Sequence, residues 1–132
     1  VAFNPISIPS VIYTNPEVAW CGDTENELNE QSIRYIKAEF PWNASGRALA
    51  TGSSDGKTKI LCNEKRTKIL GVGIVGHNAG ELINEAMLAI EMGSTPEDLA
   101  LTIHAHPTLS ETLSNTAEII NGSITDLYIA KK

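Results

Sequence analysis

The sequence predicts an α+β fold in which helices cover an antiparallel β-sheet. Segments rich in β-branched and aromatic residues dominate the first half of the chain, and short turns join most of them in hairpin order. Segments with helical periodicity gather after residue 77. Strands followed by helices, instead of a regular alternation of strand and helix, favour an antiparallel sheet packed against helices.

The first half of the chain predicts five strands and two short helices. The strands are expected at residues 10–14, 17–20, 33–40, 57–63 and 68–75. The Asn15-Pro16 pair forms the first turn, and the charged residues 64–66 join the last two strands as a hairpin. Thr24 and Glu27 fit a capping box that opens an acidic helix ending near residue 31. Residues 43–50 favour another short helix.

The second half predicts three helices. Asn78 is expected to cap the longest of them, and Gly93 to close it. Its apolar stripe consists of Leu82, Ile83, Ala86, Met87 and Ile90. Thr95 begins a shorter helix, with Pro96 at its first position. A final helix ends at Gly122 and carries its apolar positions at Leu109, Leu113, Thr116, Ala117 and Ile120.

Size and composition indicate one domain over residues 1–132, large enough to bury a continuous core. A net charge of −6 and a pI near 5.0 argue against nucleic acid or an anionic membrane surface as the main partner. No apolar run approaches the roughly 20 residues that a membrane span requires. We therefore expect a soluble, cytoplasmic protein, or one in the mitochondrial matrix after removal of a targeting segment.

Cys21 and Cys62 lie far apart in apolar, strand-like surroundings. They are interpreted as buried reduced thiols that act as small hydrophobic side chains. The sequence has no closely spaced redox pair of cysteines.

Two motifs match by pattern but lack the structural context that their chemistry needs. Residues 71–76 spell Gly-x-Gly-x-x-Gly, the dinucleotide fingerprint, whose last glycine belongs in the opening helix. Here Asn78 is expected to cap the helix after that glycine, so the glycines are interpreted as strand positions. Residues 52–56 spell Gly-x-Ser-x-Gly, the hydrolase elbow, which needs a helix after the serine. Because a strand follows instead, Ser54 is interpreted as an exposed loop residue.

The segment of residues 103–111 holds two of the three histidines and is the best candidate for chemistry. His106 is a candidate general base, because imidazole takes and gives a proton near neutrality. Glu111 lies five residues on, and after a turn at Pro107 it could hold one ring nitrogen and leave the other for substrate. Thr108 and Glu111 also fit a capping box, so Glu111 could instead hold a helix N-terminus. The two roles are compatible, since a carboxylate has two oxygens.

A metal pair of His104 and His106 is a second interpretation of the same segment. Zinc requires a third or fourth ligand at a recognisable spacing, and none follows in the sequence. His104 and His77 are therefore interpreted as structural residues, and Trp20 and Trp42 as packing residues. No metal site is predicted.

The segment Ala-Leu-Thr-Ile-His-Ala-His-Pro-Thr-Leu-Ser-Glu at residues 100–111 resembles the active-site signature of the dihydrolipoamide dehydrogenase family. In that family the signature lies in the C-terminal dimerisation domain of the class I pyridine nucleotide-disulfide oxidoreductases. Residues 15–20, 40–42, 45–48 and 76–83 are similar as well, so the resemblance covers nearly the whole chain.

The resemblance implies an enzyme that reoxidises dihydrolipoamide with NAD, passing electrons through a redox disulfide and FAD. It implies that His106 is the base that deprotonates a substrate thiol and that Glu111 holds its ring. It also implies that the pair acts in the active site of a partner subunit. There the backbone of His106 and Pro107 approaches the flavin, and the peptide bond between them is typically cis, although trans is the commoner form in proteins at large.

The same resemblance implies a homodimer and, for the parent enzyme, the lipoyl-bearing acyltransferase of a 2-oxo acid dehydrogenase complex as partner. The FAD and NAD domains and the redox cysteines of that enzyme are absent from this chain, which is expected to bind no cofactor and to be inactive alone. Three alternatives stay open. They are a glutathione reductase-like domain, a non-catalytic association module and, least favoured, a serine hydrolase using Ser54.

Overall fold

A computed structural model describes residues 2–125 and 127 of the chain. The strands are β1 (Ser10–Ile12), β2 (Glu17–Gly22), β3 (Ile36–Pro41), β4 (Lys57–Cys62) and β5 (Ile69–Gly76). The helices are α1 (Glu25–Glu30), α2 (Gly46–Ala50), α3 (Ala79–Glu91), α4 (Pro96–Leu101) and α5 (Glu111–Asn121). A 3₁₀ turn at Trp42–Ala44 precedes α2.

The five strands form one antiparallel sheet in the order β1-β2-β5-β4-β3. The hairpins β1-β2 and β4-β5 join neighbours in sequence, as the turn signals predict. The pairing of β2 with β5 joins the two hairpins into one sheet. It aligns Glu17 with Gly76 and Gly22 with Gly71. The antiparallel sheet and its helices confirm the α+β class.

The core lies between the sheet and the helices α3 and α5. Alternate residues of the central strand, Val72 and Ile74, are buried, as expected where one face of a strand is covered. Helix α3 packs on β2 and β5, and α5 packs on β3 and β4. The apolar residues that α3 and α5 bury are Ala79, Ile83, Ala86, Ala89, Ile90, Leu113, Ala117 and Ile120.

The opposite face of the sheet carries charged residues and helix α1. Glu25 of α1 accepts hydrogen bonds from Lys59 at 2.9 Å and makes an ion pair with Lys37 at 3.2 Å. These contacts, led by the hydrogen bond from Lys59, lower the pKa of Glu25 to about 2. The ion pairs therefore tie α1 to β3 and β4 above about pH 3.

The predicted strand over residues 33–40 begins too early. Residues 32 and 33 complete the end of α1, where Ser32 takes a positive φ of 56°. The Ile33 N–H donates to the Leu28 carbonyl at 2.9 Å and the Ser32 N–H to the Asn29 carbonyl at 3.1 Å, which is a Schellman motif. The strand therefore begins only at Ile36. The helix predicted at 43–50 is likewise split, since Ser45 caps α2 after the 3₁₀ turn.

The predicted side-chain cap at Asn78 is wrong, although α3 does begin just after it. Asn78 has a left-handed backbone with φ of 62° and makes no side-chain cap hydrogen bond. Instead Glu17 of β2 accepts a hydrogen bond from the Gly80 N–H at 3.0 Å and holds a carboxylate at the positive end of the helix. The other end is as predicted, because Gly93 follows with φ of 70°.

No helix in the described ranges is long and apolar enough to cross a membrane.

Candidate active site

His106 and Glu111 lie in contact at the junction between α4 and α5. The Nδ1 atom of His106 is 2.8 Å from Oε1 of Glu111. Glu111 is the first residue of α5. The turn at Pro107 brings the Glu111 side chain back to His106. The peptide bond between His106 and Pro107 is cis. The local sequence therefore predicts this contact correctly.

The second oxygen of Glu111 holds the turn itself. Its Oε2 atom accepts a hydrogen bond from the Thr108 N–H at 2.8 Å. The predicted capping box of Thr108 and Glu111 does not form, because the N-cap of α5 is Ser110, and the Thr108 hydroxyl donates to the Ala105 carbonyl at 2.7 Å. Glu111 thus orients the imidazole with one oxygen and stabilises the helix entry with the other, so the two roles coexist.

The two partners differ in exposure. The His106 side chain is 78% exposed, and that of Glu111 is 20% exposed. With Glu111 accepting at Nδ1, the ring carries its proton there when neutral, and Nε2 presents its lone pair outward. Nε2 makes no hydrogen bond to any residue that the structure describes. A largely buried carboxylate that holds an exposed imidazole is the arrangement of an oriented general base.

His104 occupies a different environment from His106. Its side chain is only 8% exposed, with Nε2 2.7 Å from Oε2 of Glu85 and Nδ1 2.9 Å from the Thr102 carbonyl. The two histidines therefore engage different carboxylates, which agrees with a structural role for His104. Within residues 2–125 and 127, no group of three or more His, Cys, Asp or Glu side chains could hold a metal ion.

Sequence reasoning missed Glu85 as the partner of His104. It lies 19 residues away on α3, among apolar positions, and no local pattern connects the two. Only the packing of α3 beside the segment before His106 brings them together.

Several large apolar side chains are exposed on α3, at the end of α4 and in the segment before His106. Leu101 and Ile103, just before it in sequence, are 74% and 97% exposed. Leu88 and Met92 are 63% and 73% exposed on α3, three and seven residues after Glu85, and so share its helical face. The contact of Glu85 with His104 places α3 next to the segment before His106, and we call these four exposed residues the apolar face (Leu88, Met92, Leu101 and Ile103). A contiguous exposed apolar patch is typical of a protein contact.

The two rejected motifs do not form the sites that their patterns suggest. The glycines of residues 71–76 all lie within β5, as predicted. A Cβ at Gly71 would lie 2.0 Å from the Asp23 carbonyl oxygen, so this glycine permits close backbone packing. Ser54 lies in the loop before β4, with no helix after it.

Cys21 and Cys62 are buried and unpaired with each other, as predicted. Burial raises the pKa of the Cys21 thiol to about 11 and also raises that of Cys62. Both thiols are therefore protonated near neutrality and are poor nucleophiles.

Comparison with known protein families defines the class. The model of the dimerisation domain of pyridine nucleotide-disulphide oxidoreductases matches residues 8–117. The chain belongs to this family.

Several curated dihydrolipoyl dehydrogenases are similar to this chain over most of its length. The chain is 57% identical to that of Buchnera aphidicola subsp. Acyrthosiphon pisum over 95% of its own length and 26% of the relative's. It is 54% identical to that of Haemophilus influenzae, covering 98% and 27% of the two chains. With the mitochondrial protein of Sus scrofa it shares 51% identity over 79% and 20%. The chain thus spans about a quarter of the length of the bacterial relatives it matches.

Solved structures support the fold. LpdA from Mycobacterium tuberculosis superposes with a TM-score of 0.83 at 23% identity, over 91% of this chain and 26% of that one. The HOCl-induced flavoprotein disulfide reductase RclA from Escherichia coli gives a TM-score of 0.81 at 23% identity, over 86% and 26%.

Proposed function

We propose that this chain is the dimerisation domain of a dihydrolipoyl dehydrogenase and that His106 is its general base. The observation that carries the proposal is the contact between His106 Nδ1 and Glu111 Oε1 at 2.8 Å, with the rest of the imidazole exposed. The identity of more than 50% to curated dihydrolipoyl dehydrogenases over most of this chain supports the substrate class. In the first step, His106 Nε2 takes the proton of a dihydrolipoamide thiol.

The chemistry needs such a base because thiolate, not thiol, attacks a disulfide. A free thiol titrates near 8.5, so little thiolate exists at neutral pH without help. The thiolate formed at His106 attacks one sulfur of a redox disulfide, whose S–S bond breaks to give a mixed disulfide and a free thiolate. The second substrate thiol then displaces the enzyme sulfur, which leaves lipoamide and a reduced enzyme dithiol. Glu111 stabilises the imidazolium that forms in the meantime.

The redox disulfide is proposed to belong to a partner subunit. Neither cysteine of this chain suits that role, since Cys21 and Cys62 are buried and lie on separate strands. His106 is exposed, and the apolar face on α3 and the segment before His106 suits burial against a second copy. A dimer formed through this face would bring the imidazole of one subunit to the disulfide of the other.

FAD and NAD are the proposed cofactors of the whole enzyme. When bound, FAD would supply the two-electron redox chemistry that links the reduced dithiol to NAD. The residues of this chain fit an edge contact with a flavin, because His106 and Pro107 are exposed and share one outward turn. They do not fit a complete nucleotide site, since the glycines of residues 71–76 are strand positions. We further propose a lipoyl-bearing acyltransferase as the partner that delivers the substrate.

The test is His106→Gln in the holoenzyme that joins this chain to its flavin and nucleotide domains. Loss of a general base costs about 10²- to 10⁴-fold in rate, so dihydrolipoamide-dependent reduction of NAD should fall by at least about 100-fold. His77→Gln is the matched control, because His77 is exposed and lies between β5 and α3. It should leave turnover unchanged.

Sedimentation separates the catalytic role from association. Both variants should remain dimers at the concentration where the unchanged protein is dimeric. Normal turnover in His106→Gln would overturn the proposed role of this residue. Loss of the dimer in that variant would assign His106 to assembly instead.

A further inference from the structure

A line of buried hydrogen bonds runs from the core to the start of α5. The Trp42 indole N–H donates to the Thr58 hydroxyl at 3.0 Å, and the Thr58 and Thr112 hydroxyls lie 2.8 Å apart. The Thr112 hydroxyl donates to the Leu109 carbonyl at 2.7 Å. Trp42, Thr58 and Thr112 are each at most 1% exposed. We call this line the hydroxyl chain (Trp42, Thr58, Thr112 and the Leu109 carbonyl).

The direction of the hydroxyl chain follows from counting protons. An indole N–H only donates, so the Thr58 oxygen is the acceptor of the first bond. Thr112 uses its one proton toward Leu109, so Thr58 must donate to Thr112. The reverse direction would leave the buried Thr58 proton without an acceptor among the described residues, which is energetically costly. The hydrogen bonds of the hydroxyl chain therefore all run in one direction, from the Trp42 N–H to the Leu109 carbonyl.

The hydroxyl chain ends at the turn that presents Glu111. The Leu109 carbonyl accepts from the Thr112 hydroxyl and also from the Thr112 N–H at 3.1 Å. Ser110, the N-cap of α5, makes no side-chain cap hydrogen bond. The Thr112 hydroxyl thus restrains this turn from the core side, through a hydrogen bond to the carbonyl of the residue three positions before it. Glu111 lies inside this closed turn.

We propose that Thr58 and Thr112 are positioning residues that hold Glu111, and through it the proton position on His106. The consequence for catalysis rests on the proposed function, but the consequence for the histidine ring does not. Glu111 has one oxygen on His106 and the other on Thr108, so the geometry of both bonds depends on the orientation of the turn that carries Glu111. A hydrogen bond is directional and weakens steeply when it is misaligned. Removing a hydroxyl from the hydroxyl chain should therefore weaken the preference of the neutral His106 ring for carrying its proton on Nδ1.

The variants are Thr58→Val and Thr112→Val, which remove a hydroxyl and keep a branched side chain of similar volume. Thr116→Val is the matched control, because Thr116 is buried one turn further along α5 and its hydroxyl donates to the backbone carbonyls of Thr112 and, at 3.4 Å, of Thr58, but not to their hydroxyls. Thr58→Ser and Thr112→Ser keep the hydroxyl and lose only a methyl group. If the hydroxyls only stabilised the fold, Thr112→Val and Thr116→Val would change the His106 ring to the same extent.

The first readout is ¹⁵N spectroscopy of the His106 ring in this chain, at a pH where the ring is neutral. The ratio of the Nδ1–H to the Nε2–H form should fall about fivefold in Thr58→Val and Thr112→Val, the factor that corresponds to one hydrogen bond of ordinary net strength. The ratio should be unchanged in Thr116→Val and restored in the serine variants. If Thr58→Val does not fold, the comparison of Thr112→Val with Thr116→Val decides. An unchanged ratio in Thr112→Val, or an equal change in Thr116→Val, would overturn the proposal.

The second readout is turnover of the holoenzyme. A general base that carries its proton on Nδ1 for less of the time should lower kcat by up to about fivefold in Thr112→Val, in line with the change in the ring ratio, with little change in KM. If the ring signals change as expected while His106→Gln remains fully active, the positioning role stands and the proposed function fails. If the ring signals do not change, the positioning role fails whatever the turnover is.

Discussion

Glu111→Gln separates the two tasks of this carboxylate. Its oxygens accept from His106 Nδ1 and from the Thr108 N–H, each at 2.8 Å. Glutamine has the same shape but offers one oxygen and one NH₂ group, so it cannot accept from both. If its oxygen stays on Thr108, its NH₂ faces Nδ1 and forces the proton of the neutral ring onto Nε2. The imidazole would then present a donor where a base is needed.

The expected costs of Glu111→Gln differ in size. The helix start loses a negative charge near its positive end and exchanges a charge-assisted hydrogen bond for a neutral one, about 1 kcal/mol of unfolding free energy. Turnover should fall much further, by about 10²- to 10⁴-fold, because the base is held in the wrong protonated form. Urea denaturation measures the first quantity, and dihydrolipoamide-dependent NAD reduction measures the second.

Glu81→Gln is the control, since Glu81 is an exposed acid in the first turn of α3. It should show a stability cost of less than about 1 kcal/mol from the helix dipole alone, with normal turnover. The reasoning is refuted if the neutral His106 ring of Glu111→Gln keeps its proton on Nδ1. Turnover within about threefold of the unchanged enzyme would refute it equally.

Two further predictions concern stability. Gly71→Ala should cost at least about 3 kcal/mol, because its Cβ would lie 2.0 Å from the Asp23 carbonyl oxygen, whereas Gly73→Ala meets only a flexible lysine at 3.6 Å and should cost less than about 1 kcal/mol. Equal urea midpoints for these two variants would contradict this. Glu25→Gln should cost about 1 kcal/mol at pH 7, after allowance for solvent screening. Because the pKa of Glu25 is lowered to about 2 in the folded protein, this difference should shrink between about pH 5 and pH 2. A cost that does not depend on pH would show that the ion pairs of Glu25 do not cause it.

The parts of the fold that the sequence predicts are those that depend on near neighbours. The β4-β5 hairpin follows from a charged turn between two apolar runs, and Gly93 ends α3 because it takes a positive φ. The sequence pattern predicts Ile33 as a strand residue because it is apolar. In the structure its N–H instead bonds to the Leu28 carbonyl and completes the end of α1. The cap of α3 was missed because Glu17 supplies it from 63 residues away.

The same division holds for the candidate site. Five residues separate His106 from Glu111, and a turn at Pro107 suffices to bring them together, so the local sequence predicts the contact. The supports around it are distant in sequence. Thr58 and Thr112 are 54 residues apart and meet only because α5 packs on β4. In the sequence, each threonine is an ordinary β-branched residue of its strand or helix. No sequence spacing predicts that the two hydroxyls meet.

The central claim is that His106 of one subunit serves a redox disulfide of the other, and subunit mixing tests it most directly. A holoenzyme with His106→Gln is mixed with one that keeps His106 but lacks a redox cysteine, and the subunits are reassorted. Half of the dimers are then hybrids, and each hybrid has one intact site if the histidine acts across the interface. The account predicts recovery of about a quarter of the unchanged activity from two inactive parents. No recovery, with hybrid dimers present in the sample, would contradict it.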